Sequence, residues 1–144
     1  MRFVGKTVAF EWLAEARTLL SVSGSVEPAM DDWERYVDAI RAHQEQEARV
    51  LVIAGRGKPS RAQQQQLTAL PNHGLRRIAL ISESLPLRFI VAMFALVAPQ
   101  VKLFPPAELH EALGFLGLQP RETGAVRDSL SRLRAEFQEQ HSAT

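Results

Sequence analysis

The sequence predicts an α/β fold in which helices pack on a mixed β-sheet, and three observations lead to this class. First, two segments near the N-terminus alternate apolar and polar side chains and are joined by only three residues, which is typical of an antiparallel hairpin. Second, short apolar, β-branched runs then alternate with helical patterns, which indicates parallel strands joined by helices. Third, the 144 residues are 46% hydrophobic and 23% charged, as in one globular domain.

The predicted elements follow the order β-β-α-β-α-β-α-β-α, with one extra helix at the C-terminus. The predicted strands cover residues 7–13, 17–26, 50–54, 78–81 and 101–104. The predicted helices, recognised by apolar spacings of three and four, cover residues 30–46, 60–70, 86–97, 107–116 and 120–140. We therefore expect an α/β domain over residues 1–118. Residues 119–144 are expected to form an amphipathic helix and tail that pack on this domain or on a second copy.

Composition excludes several classes of function. A net charge of +1 gives no electrostatic reason to expect nucleic acid as a partner. The absence of cysteine rules out disulfides, thiolate chemistry and cysteine-based metal sites. The four histidines are dispersed without a second ligand at metal spacing, so we expect neither a metal nor a cofactor. The N-terminus lacks the unbroken apolar core of a secretory signal, and the longest apolar run, residues 89–98, is too short to span a bilayer. We expect a cytoplasmic protein without a transmembrane segment.

A basic loop follows the predicted strand 50–54 and leads into the helix 60–70. Arg56, Lys58 and Arg61 surround two glycines there, and Ser60 stands where the helix N-cap is expected. A strand–loop–helix junction can bind a phosphate, a nucleotide or an acidic partner. However, the two glycines are too close together for a P-loop. The alternative is a solvated basic turn in which Ser60 is an ordinary cap.

Two further regions are candidates for contact with a partner. The predicted helix 86–97 is apolar on most sides and carries Phe89 and Met93, residue types common at adaptable interfaces. Burial within the monomer is one interpretation, and self-association as a homodimer is the other. Ser82 and Ser84 follow a buried strand, where either a functional role or a helix cap would suit them. No nucleophile elbow or activated nucleophile is apparent, so we expect no enzymatic activity.

The C-terminal half carries a family resemblance in residues 77–82 (RIALIS), 101–104 (VKLF) and 108–116, which contain a Glu, an Ala-Leu pair and a final Leu. Together with the order of elements, these segments resemble STAS domains, the fold of bacterial anti-sigma factor antagonists and of the cytoplasmic tails of some anion transporters. The resemblance implies a regulatory module that binds a protein partner, such as a kinase or another regulatory protein. In that family a Ser at the start of the second helix is phosphorylated. Ser60 takes this position here, whereas the Asp, the second Ser and the Gly of the family motif are absent.

The leading hypothesis is therefore a non-enzymatic signalling or adaptor domain of divergent STAS type, with phosphorylation as a candidate switch. The alternative hypothesis is a STAS-like domain that binds a small ligand, either a nucleotide or a lipid. A hydrolase or transferase ranks last, because the sequence offers no catalytic constellation.

Overall fold

A computed structural model of the chain describes residues 1–43, 46–69, 75–84 and 100–142, and it confirms the α/β class. The centre of the structure is one six-stranded sheet whose spatial order equals the chain order, β1-β2-β3-β4-β5-β6. The strands are β1 Arg2–Val4, β2 Val8–Leu13, β3 Thr18–Ser23, β4 Ala48–Ile53, β5 Leu75–Ile81 and β6 Val101–Phe104. β1, β2 and β3 are antiparallel to one another, whereas β3 to β6 are all parallel.

Four helices in the described part of the chain pack on this sheet. They are α1 Met30–His43, α2 Arg61–Thr68, α3 Leu109–Phe115 and α4 Pro120–Ser142. Short 3-10 turns also occur at Ala14–Ala16, between β2 and β3, and at Pro106–Glu108, before α3. The predicted helix over residues 86–97 lies outside the described residues.

The two faces of the sheet are covered by different helices. α1 buries Trp33, Tyr36, Val37 and Ile40 against one face. On the opposite face, Ala112, Leu113 and Leu116 from α3 and its C-terminal end join four buried residues of α4 in a second core. These residues are Val126, Leu130, Leu133 and Phe137. Because strand side chains alternate between faces, neighbouring residues such as Leu19 and Leu20 belong to different cores.

The N-terminal hairpin was predicted correctly, but the sheet begins one strand earlier. β2 and β3 pair in antiparallel fashion across the 3-10 turn, and Arg17 closes that turn with a φ of 45°. β1 adds to the free edge of β2 through pairs such as Phe3 with Phe10. With three residues, β1 is too short for a period-two pattern to be detected in sequence. The predicted strand 17–26 is also too long, since β3 ends at Ser23.

A buried arginine fixes the C-terminal segment to the sheet. Arg49, on β4, donates hydrogen bonds through Nε to the carbonyl oxygen of Leu116 at 2.8 Å and through Nη1 to that of Ala16 at 2.9 Å. Its Nη2 lies 3.5 Å from the carbonyl oxygen of Gly117, and the carboxylate of Glu122 lies 3.8 Å from Nη1. The carbonyls that end a helix have no partner within it, so the guanidinium supplies donors that α3 lacks.

Replacing Arg49 with Met should lower the free energy of unfolding by about 3 kcal/mol, since buried carbonyls lose their donors. Arg49→Lys should retain only a part of the stability that Arg49→Met loses, because one ammonium group cannot reproduce the planar set of guanidinium donors. The matched control is Arg41→Met, which removes an exposed pair with Asp38 and should change stability by less than about 0.5 kcal/mol. Urea unfolding followed by circular dichroism measures all three. Equal midpoints for Arg49→Met and Arg41→Met would contradict the anchoring role.

Tyr36 occupies the core between α1 and the sheet with its hydroxyl inside. Its oxygen accepts a hydrogen bond from the Ser21 hydroxyl at 3.0 Å, and Phe10 and Trp33 pack around the ring. Burial raises the pKa of Tyr36 to about 12. The hydrogen bond from Ser21 lowers this pKa, but its effect is smaller than that of burial. The neutral phenol is therefore the form that this core stabilises.

Tyr36 is the single tyrosine of the chain, so the ultraviolet absorbance of tyrosinate reports on it alone. Tyr36 should ionise near pH 12 in the folded protein and near the ordinary tyrosine pKa of about 10 in the urea-unfolded protein. Below pH 10 the contribution of the neutral Tyr36 phenol to the free energy of unfolding is fully present. This contribution decreases as the pH rises towards 12, because Tyr36 loses its proton first in the unfolded chain. Ser21→Ala should raise the folded pKa further. Ionisation near pH 10, in a sample that circular dichroism shows to be folded, would disprove this assignment.

Candidate functional site

An open cleft of about 860 Å³ lies where the parallel strands β3, β4 and β5 end. This is the edge of an α/β sheet at which ligands usually bind, because strand ends and loops converge there. The apolar side chains of the lining include Val22, Ile53, Ile81, Leu109 and Phe137. They belong to, or pack against, the core between the sheet and helices α3 and α4, so the cleft opens between the strand ends and these two helices.

The charged side chains of the lining are Arg56, Glu83 and Arg134. All three are exposed to solvent, and each comes from a different part of the fold. Arg56 lies in the loop after β4, Glu83 follows β5, and Arg134 projects from the C-terminal half of α4. Within the described ranges none of them forms an ion pair. The lining therefore carries two guanidiniums and one carboxylate, a net charge of +1.

Ser82 and Ser84 shape the wall of the cleft that follows β5. The Ser82 amide donates to the Phe104 carbonyl at 3.1 Å, which continues the pairing of β5 with β6 by one residue. The Ser82 hydroxyl is buried and accepts a hydrogen bond from the Ser84 amide at 3.0 Å. Ser82 therefore fixes the turn that leaves the sheet.

The glycines of the basic loop are required by close backbone packing. The Gly55 and Gly57 amides donate to the carbonyls of Ser23 and Gly24, at 3.1 and 2.9 Å. A Cβ on Gly57 would stand 1.9 Å from the carbonyl oxygen of Val26. Both amides are thus already hydrogen-bonded, and an anion at this loop would have to be held mainly by side chains.

Ser60 is the N-cap of α2, as the sequence predicted. Its hydroxyl accepts from the Gln63 amide at 3.2 Å, while the Gln63 side chain accepts from the Ser60 amide at 2.9 Å, which completes a capping box. Gln63 is itself buried and donates to the Pro28 carbonyl at 2.8 Å. The start of α2 is therefore tied to the segment that precedes α1.

The structure brings some of the predicted site residues together. Arg56, Ser82 and Ser84 line the cleft, whereas Lys58, Ser60 and Arg61 are not part of its lining. Phe89 and Met93 lie outside the described residues. Sequence reasoning missed Arg134 and Phe137. Their helix was predicted, but its position over the strand ends cannot be read from one amphipathic pattern.

The described residues contain no group of three His, Asp or Glu side chains that could hold a metal ion. None of the helices in these ranges combines the length and hydrophobicity needed to cross a membrane. No known family model, curated protein or solved structure matches this chain.

Replacing Gly57 with Ala should lower the free energy of unfolding by about 1–3 kcal/mol, since the added methyl group meets backbone that must move. The matched control is Gly124→Ala on α4, where an added Cβ would meet nothing within 4 Å. That variant should gain about 0.5–1 kcal/mol, because Ala favours a helix more than Gly does. Chemical unfolding of both variants measures the difference. An unchanged midpoint for Gly57→Ala would show that the loop does not need this contact.

Proposed function

We propose that this chain is a non-enzymatic binding domain, of the regulatory or adaptor kind that its STAS-like sequence features imply, and that it binds a protein partner. The observation that carries the proposal is an exposed surface formed by the basic loop, the segment before α1 and the first residues of α1 and α2. We call this the basic loop surface; it comprises Val26, Met30, Arg56, Lys58 and Arg61.

The cations of this surface are available for a partner. Arg56, Lys58 and Arg61 are exposed, and none of them forms an ion pair within the described part of the chain. Glu27 is exposed on the neighbouring segment and offsets one of the three positive charges. An acidic surface on a partner would complement the remaining charge and accelerate association.

Two apolar side chains accompany the cations. Val26 is 55% exposed and Met30 is 45% exposed, although both residue types are usually buried. The hydrogen bond from Gly57 to Gly24 and that from Gln63 to Pro28 place their segment beside the basic loop. Apolar anchors surrounded by charged groups are the usual composition of protein–protein interfaces. The loop is also hydrogen-bonded to the backbone of Ser23 and Gly24, which lowers the conformational entropy that binding would cost.

Phosphorylation of Ser60 would act directly on this surface. Ser60 lies between Lys58 and Arg61 in the chain, and a phosphate there adds nearly two negative charges. The added charge would neutralise the cations and weaken the attraction of an acidic partner. The proposal therefore includes a kinase that phosphorylates Ser60, either as the binding partner itself or as a separate regulator.

The test begins with capture of a partner from native lysate by tagged protein, followed by affinity measurements with the purified partner. Lys58→Glu and Arg61→Glu should each weaken binding about tenfold, because they replace attraction with repulsion. Ser60→Asp should weaken it similarly. Asp, like Asn, remains a good N-cap, so Ser60→Asn is a control that keeps α2 intact without adding charge.

Arg127→Glu supplies the charge control, since Arg127 is exposed on α4 and takes no part in the basic loop surface. This variant and Ser60→Asn should bind as the wild type does. A partner that binds Lys58→Glu and Arg61→Glu with undiminished affinity would exclude the basic loop surface as its site.

A further inference from the structure

The cleft at the strand ends has a chemistry of its own, and Arg56 is the one residue that it shares with the basic loop surface. We propose that it binds a small amphipathic organic anion, in which one carboxylate or phosphate group is joined to an apolar body. This ligand site goes beyond the protein-binding function and does not depend on it.

The apolar part of such a ligand matches the floor of the cleft. Val22, Ile81 and Phe137 are nearly buried, while Ile53 and Leu109 retain partial exposure. These five side chains all line the cleft and belong to, or pack against, the core beneath α3 and α4. An apolar ligand group would cover the surface that Ile53 and Leu109 leave in contact with water, which is favourable in proportion to the area buried.

The anionic part matches the two arginines of the lining. Arg56 and Arg134 come from different elements of the fold and both reach the same cleft. Guanidinium groups bind carboxylates and phosphates through paired, charge-assisted hydrogen bonds. Glu83 is the only acidic residue of the described lining, so one negative charge on the ligand would balance the site.

The size and position of the cleft also suit a small molecule. Its volume of about 860 Å³ lies in the range, roughly 300–1,000 Å³, that small-molecule sites occupy. It combines an apolar floor with a few polar groups that converge, which is the usual pattern of such sites. The Ser82 hydroxyl accepts a hydrogen bond from the Ser84 amide, so its own O–H can still donate to an anion held by the two arginines.

The probes for this site are octanoate and octyl phosphate, compared with octan-1-ol, octylamine and acetate in calorimetric titrations of the intact chain. At least one of the two amphipathic anions should bind with one-to-one stoichiometry. The alcohol and the amine lack the anion, and acetate lacks the apolar body, so each should bind at least about tenfold more weakly. Binding of octanoate alone would identify a carboxylate ligand, and binding of octyl phosphate alone a phosphate ligand.

Two variants and one matched control place the ligand in the cleft. Arg56→Gln and Arg134→Gln should each weaken binding by roughly tenfold, because each loses a charge-assisted contact. Arg127→Gln removes the same charge from the same helix as Arg134 and should bind as the wild type does. Amide resonances of Ser23, Ala54 and Ser82 should shift on titration, since these residues line the cleft.

The proposal is overturned if neither anion binds, if octan-1-ol binds as tightly as the anions, or if Arg127→Gln weakens binding as much as Arg134→Gln. Lys58→Glu and Arg61→Glu lie outside the lining and should leave octanoate or octyl phosphate binding unchanged. These two variants therefore test the proposals separately. Their effect on partner binding concerns the basic loop surface alone, whereas the binding of octanoate or octyl phosphate concerns the cleft alone.

Discussion

The contact between the Arg49 guanidinium and the backbone carbonyls of Leu116 and Gly117 determines how the C-terminal part of the chain meets the sheet. Arg49 lies on one of the inner strands, and its donors reach two remote segments at once, the end of α3 and the turn before β3. Carbonyl groups are neutral, so the buried cation is compensated mainly by hydrogen bonds, with Glu122 farther away at 3.8 Å. A buried charge of this kind is stable only where all its donors are used. The direction in which α4 leaves the end of α3 is thereby fixed.

That anchor gives the two edges of the parallel strands different properties. At the amino edge, Arg77 on β5 lies opposite Arg49 on β4 in the strand register. Arg77 donates a hydrogen bond to the carbonyl of Phe115 at 2.6 Å, and its guanidinium lies over the Phe115 ring. The last carbonyls around the end of α3 are thus bound by two arginines at this edge. α4 then runs back across the sheet and brings Arg134 and Phe137 to the opposite edge. There the strand ends are not sealed by a comparable contact within the described residues, and the cleft remains.

The sequence alone predicted the class of the fold, the hairpin and the approximate limits of most described elements, because these depend on local periodicity. It did not predict β1, whose three residues pair only because the edge of β2 is available. The glycines of the basic loop show a different limitation. The sequence suggested that this junction could bind an anion, whereas Gly55 and Gly57 are glycine because another segment packs directly against them. The role of Arg134 could not be predicted either, since it depends on where a helix crosses the sheet. Contacts between segments distant in sequence cannot be predicted from the local periodicity of either segment.

Arg56 connects the two proposed binding events. It belongs to the basic loop surface and also lines the cleft, and Gly57, the residue after it, is fixed against the backbone of Gly24. One guanidinium cannot give its full charge to an acidic partner and to a ligand anion at the same time. If both proposals hold, an anion in the cleft lowers the affinity for an acidic partner, and the partner lowers the affinity for the anion by the same factor. The coupling is local electrostatics and needs no change of fold, since the loop that carries Arg56 is held in place by its glycine contacts. A domain built in this way would report the presence of a small anion through the strength of its attachment to another protein.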